Sequence, residues 1–335
     1  MTSGAREAFD QARLEHHSSL EPIATRPMKQ VHAALGLQAK SNFHLPPGAR
    51  PGSVIDGDAH IGKTTIVTQF GRSYEKTLRK RYPGERTEAG DEFVPVLYLT
   101  LAAGTTVKGL SRQILDFYGY PTAPRATQVE LTMQVQKAAH RCQTTLAIFD
   151  DIHFLKLSNQ SDREVNDHLK YLANVIPATF VYAGIDCEEG GLLREGKSRM
   201  REKAFSQTGS RFTLHRIEKF RLDTEEEARH WVALLAAIER ELVLIKSSEG
   251  MLSQKLWRYL FERTHGDIGS LTSLLRQGAL LAIENGSERI TTSLLDEIKL
   301  SHDAEAESRR RGTRKRPLPR ANEARSEMKK VAVAA

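Results

Sequence analysis

Residues 57–64 read Gly-Asp-Ala-His-Ile-Gly-Lys-Thr, and no other stretch constrains the fold of this chain as much. The pattern is G-x-x-x-x-G-K-[ST]. Its glycines let a loop curl until backbone N–H groups point inward at phosphate oxygens; its lysine brings a point charge, and its threonine offers a hydroxyl to Mg2+. Such a loop needs a strand to enter it and a helix to leave it. Before it stands "SVIDGD", a short apolar run. After it stands "TTIVTQFGRSYEKTLRKRY", with Ile66, Val67, Phe70, Tyr74 and Leu78 at the spacing of a helix face. On average composition a chance match in a chain of this length is roughly a one-in-a-hundred event. The nucleotide-binding positions are therefore Gly57, Asp58, Ala59, His60, Ile61, Gly62, Lys63, Thr64 and Thr65. ATP and Mg2+ are the expected ligands, with Lys63 at the β- and γ-phosphates and Thr64 at the metal. His60, the unusual member, receives no role.

Further strands follow. "VPVLYLTL" (94–101), "TTLAIFDD" (144–151) and "ATFVYAGID" (178–186) are continuous apolar runs, as in a sheet buried on both faces. Helical patterns alternate with them, including "TVKGLSRQILDFYGY", "RATQVELTMQVQKAAHRC" with Thr127 as N-cap, and "DREVNDHLKYLANVI". Alternation of this kind implies a parallel α/β sheet. After about Arg221 only helices are expected, beginning at an N-cap at Asp223 or Thr224. The expected division is an N-terminal helical and loop extension (1–50), an α/β ATPase domain (51–221), a helical lid domain (222–300) and a basic, disordered tail (301–335).

The run "LAIFDD" ends in two acids. Asp150 falls at the carboxyl edge of the sheet, where a carboxylate holds Mg2+, and Asp151 is placed to orient and deprotonate an attacking water. Two solvated acids at a strand end would be the plain reading without the upstream loop. A small-molecule kinase would commonly add a mobile Arg-rich lid. Paired acids, a long α/β unit and a separate helical domain fit an AAA+ P-loop ATPase better.

Charge is unevenly spread. The net charge is +7, yet residues 309–330 hold ten Lys or Arg against two Glu, so the rest of the chain is close to neutral. The tail "RRRGTRKRPLPR" is too polar to fold alone and suits nucleic acid or an acidic partner. The cysteines, Cys142 and Cys187, make no metal-ligand pair and fit a reducing cytoplasm. No membrane span or signal peptide is expected.

The stretches "VIDGDAHIGKTTIVTQF", "LYLTL", "PRATQVELTMQVQKAAHRCQTTLAIFDDIHFL", "VNDHLKYLANVIPATFVYAGID" and "SRFTLHRIEKF" together resemble the TniB/TnsC family of transposition helper ATPases, over roughly residues 50–290. "DDIHFL", the "LKYLAN" helix and "RF" before the helical domain are the most specific pieces. The resemblance implies an AAA+ fold, an ATP-dependent homo-oligomer or filament on largely non-specific double-stranded DNA, target-DNA selection and activation of a DDE-type transposase. It carries Lys63 and Thr64 onto the P-loop, Asp150 onto the Mg2+ acid and Asp151 onto the catalytic acid. It carries Arg211 onto an arginine finger that reaches a neighbour's γ-phosphate, with Arg199 and Arg201 as local rivals.

This chain departs from the pattern in three places. Asp151 stands where Glu is more frequent. Gly184 and Ile185 stand where a polar side chain often watches the γ-phosphate. "GDIGSL" lacks the Arg that many AAA+ proteins place near the start of the lid helix, Arg276 coming about two turns later. Hydrolysis is therefore expected to be slow and regulatory. For DNA, the candidates are Lys108, Arg112, Arg125 and Thr127, with "RKRYPGER" (79–86) as a further basic cluster. The competing readings are a signalling NTPase switch that recruits a protein without DNA, and a remodelling or loader ATPase with fast turnover.

Overall fold

The computed structural model describes residues 3–46, 48–155, 159–187 and 211–301. The expectations for the basic tail and for Arg199 and Arg201 lie outside these residues. The chain divides into two compact units, residues 27–218 and residues 1–26 with 219–335.

The first unit is a parallel sheet between two layers of helices. Its strands are β1 (Gly52–Asp56), β2 (Val96–Thr100), β3 (Leu146–Asp150), β4 (Thr179–Gly184) and β5 (Phe212–Arg216), in the order β2-β3-β4-β1-β5. Every pairing is parallel. β1, β3 and β4 are buried along their whole length, which is why they are unbroken apolar runs. One face packs on α2 (Arg26–Asn42) and α3 (Lys63–Arg81) through Met28, Val31, Leu35, Ile66, Val67 and Phe70. The other packs on α4 (Val107–Phe117), α5 (Gln128–Arg141) and α6 (Gln160–Val175), with Leu110, Leu131, Val135, Val165 and Leu169 in its core.

β5 goes beyond the sequence reading, which has four strands. The segment "FTLHR" is an edge strand with no fully buried residue, so it lacks the apolar run that marks the others. Thr127 caps α5 as expected. Its hydroxyl accepts from the Glu130 N–H and the Glu130 carboxylate accepts from the Thr127 N–H, a reciprocal box.

The second unit is helical: α1 (Ser3–Ser18), α7 (Glu225–Glu241), α8 (Trp257–Thr264), α9 (Ile268–Glu284) and α10 (Thr292–Asp296). Trp231, Leu235, Leu252, Leu260, Leu271, Leu274 and Leu295 form its core, and Leu14 of α1 packs against it. Of the two N-cap candidates for α7, Thr224 is the one used, boxed with Glu227. A π-helical turn (Met251–Leu256) precedes α8 where the sequence reads as regular helix. The Glu239 carboxylate caps its start, accepting from the N–H groups of Gly250, Leu252 and Ser253.

α1 is fixed by a buried ion pair. Arg13 Nη1 donates to Glu288 Oε2 at 2.6 Å and Arg13 Nη2 to Glu288 Oε1 at 2.9 Å. The two side chains are 3 % and 4 % exposed. Arg6 adds a third bond to Glu288 at 3.0 Å, and the Ile245 N–H a fourth at 3.2 Å. The bond from Arg13 holds the Glu288 carboxyl below the usual carboxylate range, and that carboxylate raises Arg13 in turn. Arg13→Ala should destabilise this unit by about 3–5 kcal/mol, because it strands a buried charge. Urea denaturation followed by tryptophan fluorescence tests this, since both tryptophans, Trp231 and Trp257, lie in the helical unit. The depressed Glu288 pKa gives the sign of the pH dependence. The wild-type advantage is whole above pH ~4.3 and is lost as pH falls through the lower folded-state value.

Candidate nucleotide site

Parallel pairing brings the carboxyl ends of the strands to one edge. In register, Asp56 lies beside Gly184 and Arg216, and Thr100 beside Asp150. The loop 57–62 leaves β1 at this edge and enters α3.

The loop is tightly wound. Gly57 has φ 154°, and a Cβ there would meet the Ile217 carbonyl oxygen and Ile61 Cδ1, each at 2.3 Å. No other residue fits that position. Gly62 is the N-cap of α3 in the left-handed region and has no side chain to cap the helix, so the first N–H groups of α3 keep their affinity for an anion. His60 also has positive φ and is exposed at the loop tip with Asp58 and Ala59. Ile61 is buried, Thr64 exposed and Thr65 half-buried. Lys63 is 8 % exposed, and its ammonium donates to the carbonyls of Gly57, at 2.8 Å, and Asp58. Burial pushes its pKa down, opposed by the nearby carboxylates of Asp150, Asp56 and Asp151. A loop closed at a glycine that no side chain could replace, a buried ammonium inside it and an uncapped helix start fit a nucleotide's phosphates.

Asp150 is 1 % exposed. Its Oδ1 accepts from the Asp151 N–H at 2.9 Å and its Oδ2 from the Tyr98 hydroxyl at 3.0 Å. Asp151 lies in the left-handed region (φ 57°), with its side chain 37 % exposed and its Oδ1 3.9 Å from His153 Nδ1. The tight turn separates the acids: one carboxylate is buried and held, the other faces solvent. No group of three or more His, Cys, Asp or Glu able to hold a metal occurs among the described residues.

Gly184 ends β4, and a Cβ there would meet Cys187 Sγ and Ile152 Cγ2, each at 2.8 Å. The chain after Asp151 packs on this glycine and leaves a side chain no room. Ile185 is half-buried beside it. Cys187 is buried, donates its N–H to Asp56 Oδ1 at 3.0 Å, and has its thiol pushed up to about 12 by burial.

Arg211 stands at the other end of the sheet. Its carbonyl accepts from the Gly52 N–H at the start of β1, and its guanidinium donates to Asn174 Oδ1 at 3.2 Å. The length of β1, about 13 Å, separates it from the P-loop edge. Lys108 and Arg125 are exposed and Arg112 half-buried. Arg112 donates to the Pro124 carbonyl at 3.0 Å, and Lys108 lies close enough to Glu130 to lower its pKa, after the larger effect of its hydrogen bonds with Thr127. The starts of α4 and α5 thus share one end of the unit. The Thr127 hydroxyl is engaged with Glu130. In the 79–86 cluster, Arg79 is tied to Glu75 and the Phe93 carbonyl. Arg276 is exposed on α9, and Asp267 caps that helix through the Ser270 N–H.

Sequence reasoning missed Tyr98, Asn174 and Glu288. Tyr98 carries the best signal in retrospect, a phenol two residues before the end of a strand beside the acid pair.

The strand order, the three layers and the P-loop define an AAA+-type α/β fold. Solved structures agree. The ORC2 protein of Aeropyrum pernix, in ADPNP–ADP complexes, is similar at a TM-score of 0.56 and 14 % identity, covering 79 % of this chain and 66 % of that one. ORC1 of the same organism, in complex with DNA, gives 0.53 and 16 %, covering 87 % and 66 %. Cdc6p of Pyrobaculum aerophilum gives 0.53 and 14 %, covering 81 % and 66 %. The chain spans about two thirds of the length of these proteins. No curated protein matches it in sequence. The family model for bacterial TniB proteins matches residues 27–221, more than half of the chain. The protein belongs to the TniB family.

The crowding at Gly184 makes a direct prediction. Gly184→Asn, which installs a polar side chain at the end of β4, should destabilise the protein by about 1–3 kcal/mol through overpacking, read as a lower melting temperature.

Proposed function

We propose that the chain is an ATPase that binds ATP and Mg2+, assembles with copies of itself on double-stranded DNA, and serves transposition by selecting target DNA and activating a DDE-type transposase. The observation that carries this reading is the placement of Lys63 and Asp150 at one edge of the sheet and Arg211 at the opposite edge. Arg211 sits too far from its own P-loop to act there. A guanidinium in that place serves a nucleotide bound by a neighbouring copy, which links nucleotide binding to assembly.

Lys63, the N–H groups of the loop and the start of α3 would hold the phosphates, with Thr64 and Asp150 at the metal. Mg2+ supplies neutralisation of the charge that develops on the phosphates, and a site with one buried carboxylate suits an ion that keeps several waters. Asp151, exposed and one methylene shorter than Glu, orients the attacking water and takes its proton at a carboxylate oxygen. Gly184 offers no side chain to sense the γ-phosphate. Slow turnover follows, with the nucleotide acting as a timer of assembly.

Lys108, Arg112 and Arg125 would meet DNA phosphates. Lys108 is the second residue of α4, where the helix dipole disfavours a cation. An anionic partner at that end offsets the cost. Thr127 contributes by fixing the start of α5. Among the described residues no helix is long and apolar enough to cross a membrane. TniB membership, and the complex with DNA described for ORC1 of Aeropyrum pernix, support this reading.

Electron microscopy with ATP and non-specific DNA tests it. Wild type should form ordered oligomers; Lys63→Ala should form none. Arg211→Ala should bind ATP normally but fail to assemble. An assembly-competent Lys63→Ala protein would sink the proposal. So would equal DNA affinity with and without ATP, the behaviour of a protein-recruiting switch. Lys108→Ala should flatten the dependence of log affinity on log salt by about 0.9 for each phosphate that Lys108 neutralises.

A further inference from the structure

Asp150 is a buried carboxylate whose orientation is set by two donors. The Asp151 N–H, rigid within the turn, takes Oδ1, and the Tyr98 hydroxyl takes Oδ2. One donor alone leaves the carboxylate free to swing about it; the second fixes its plane. A carboxylate accepts about four hydrogen bonds, so each oxygen keeps capacity for a metal or its water.

Tyr98 is built for this contact. It lies on β2 opposite Ile148, while Asp150 stands opposite Thr100, so the phenol reaches two residues along the sheet to the acid. Serine or threonine at 98 would fall short. The ring is half-buried and packs against the core shared by α2 and α3. Thr100 donates to the Tyr98 oxygen at 3.5 Å, leaving the phenolic hydrogen for the carboxylate.

We propose that Tyr98 is a positioning residue for the metal: its hydroxyl holds the Asp150 carboxylate in the orientation that receives Mg2+ with the nucleotide. This rests on the reading of Asp150 as the Mg2+ acid. The competing view makes Tyr98 an ordinary sheet residue whose ring matters and whose hydroxyl does not.

The test compares nucleotide affinity in Mg2+ and in EDTA for the full chain, using a fluorescent ATP analogue. In Tyr98→Phe the affinity in EDTA should stay within about two-fold of wild type, and the affinity in Mg2+ should fall about ten-fold, the loss expected for one hydrogen bond to a charged group. The Mn2+ concentration for half-saturation in the presence of ADP, followed by electron paramagnetic resonance, should rise by a similar factor. Tyr98→Met, apolar and flexible, should show the same metal-specific loss if the aromatic variant folds poorly. A Tyr98→Phe or Tyr98→Met protein that keeps the full wild-type gain from Mg2+ would overturn the positioning role alone. If wild type and Asp150→Asn both bind equally in Mg2+ and EDTA, the metal site fails and Tyr98's part in it fails too.

Discussion

The parallel pairing of β1 with β4 on one side and β5 on the other sets where each functional group of the α/β unit falls. Because all five strands run the same way, their carboxyl ends share one edge, and the P-loop, Asp56, Asp150 and Gly184 meet there. The same pairing sends the start of β5, and Arg211 with it, to the far edge. A single antiparallel strand would mix the two. The separation of the P-loop edge from Arg211 is thus a property of strand direction before it is a property of side chains.

At the working edge, close packing decides what the site contains. Gly57 is pressed against the Ile217 carbonyl, and Gly184 against Ile152 and Cys187. The first contact holds the loop closed around the Lys63 ammonium. The second removes any side chain from the end of β4. The tight turn at Asp151 sorts two adjacent, chemically identical acids into one buried in a hydrogen-bonded seat and one in solvent. Backbone geometry, more than residue type, gives them different surroundings.

Features that depend on neighbours in the chain were legible in the sequence. The P-loop is contiguous, and its strand and helix stand on either side. The buried strands announce themselves as apolar runs, and the boxes at Thr127 and Thr224 follow from Thr-x-x-Glu spacing. What escaped depends on partners distant in sequence or on partial burial. β5 has an exposed side and so a mixed composition. The π turn at Met251 is capped by Glu239 on another helix. Tyr98 looks like any aromatic in a strand until Asp150 is seen across the sheet. The third and fourth bonds to Glu288 come from Arg6 and Ile245, and its main partner Arg13 is 275 residues away.

That last pair bears on how the molecule is made. Residues 27–218 form one continuous stretch, whereas the helical unit is built from two stretches separated along the chain. α1 emerges before residues 27–218, yet the carboxylate that holds it arrives only when residue 288 is synthesised. Until then Arg6 and Arg13 can pair with Asp10 on their own helix. The Arg13–Glu288 pair thus ties α1 to the loop between α9 and α10 across 275 residues of chain.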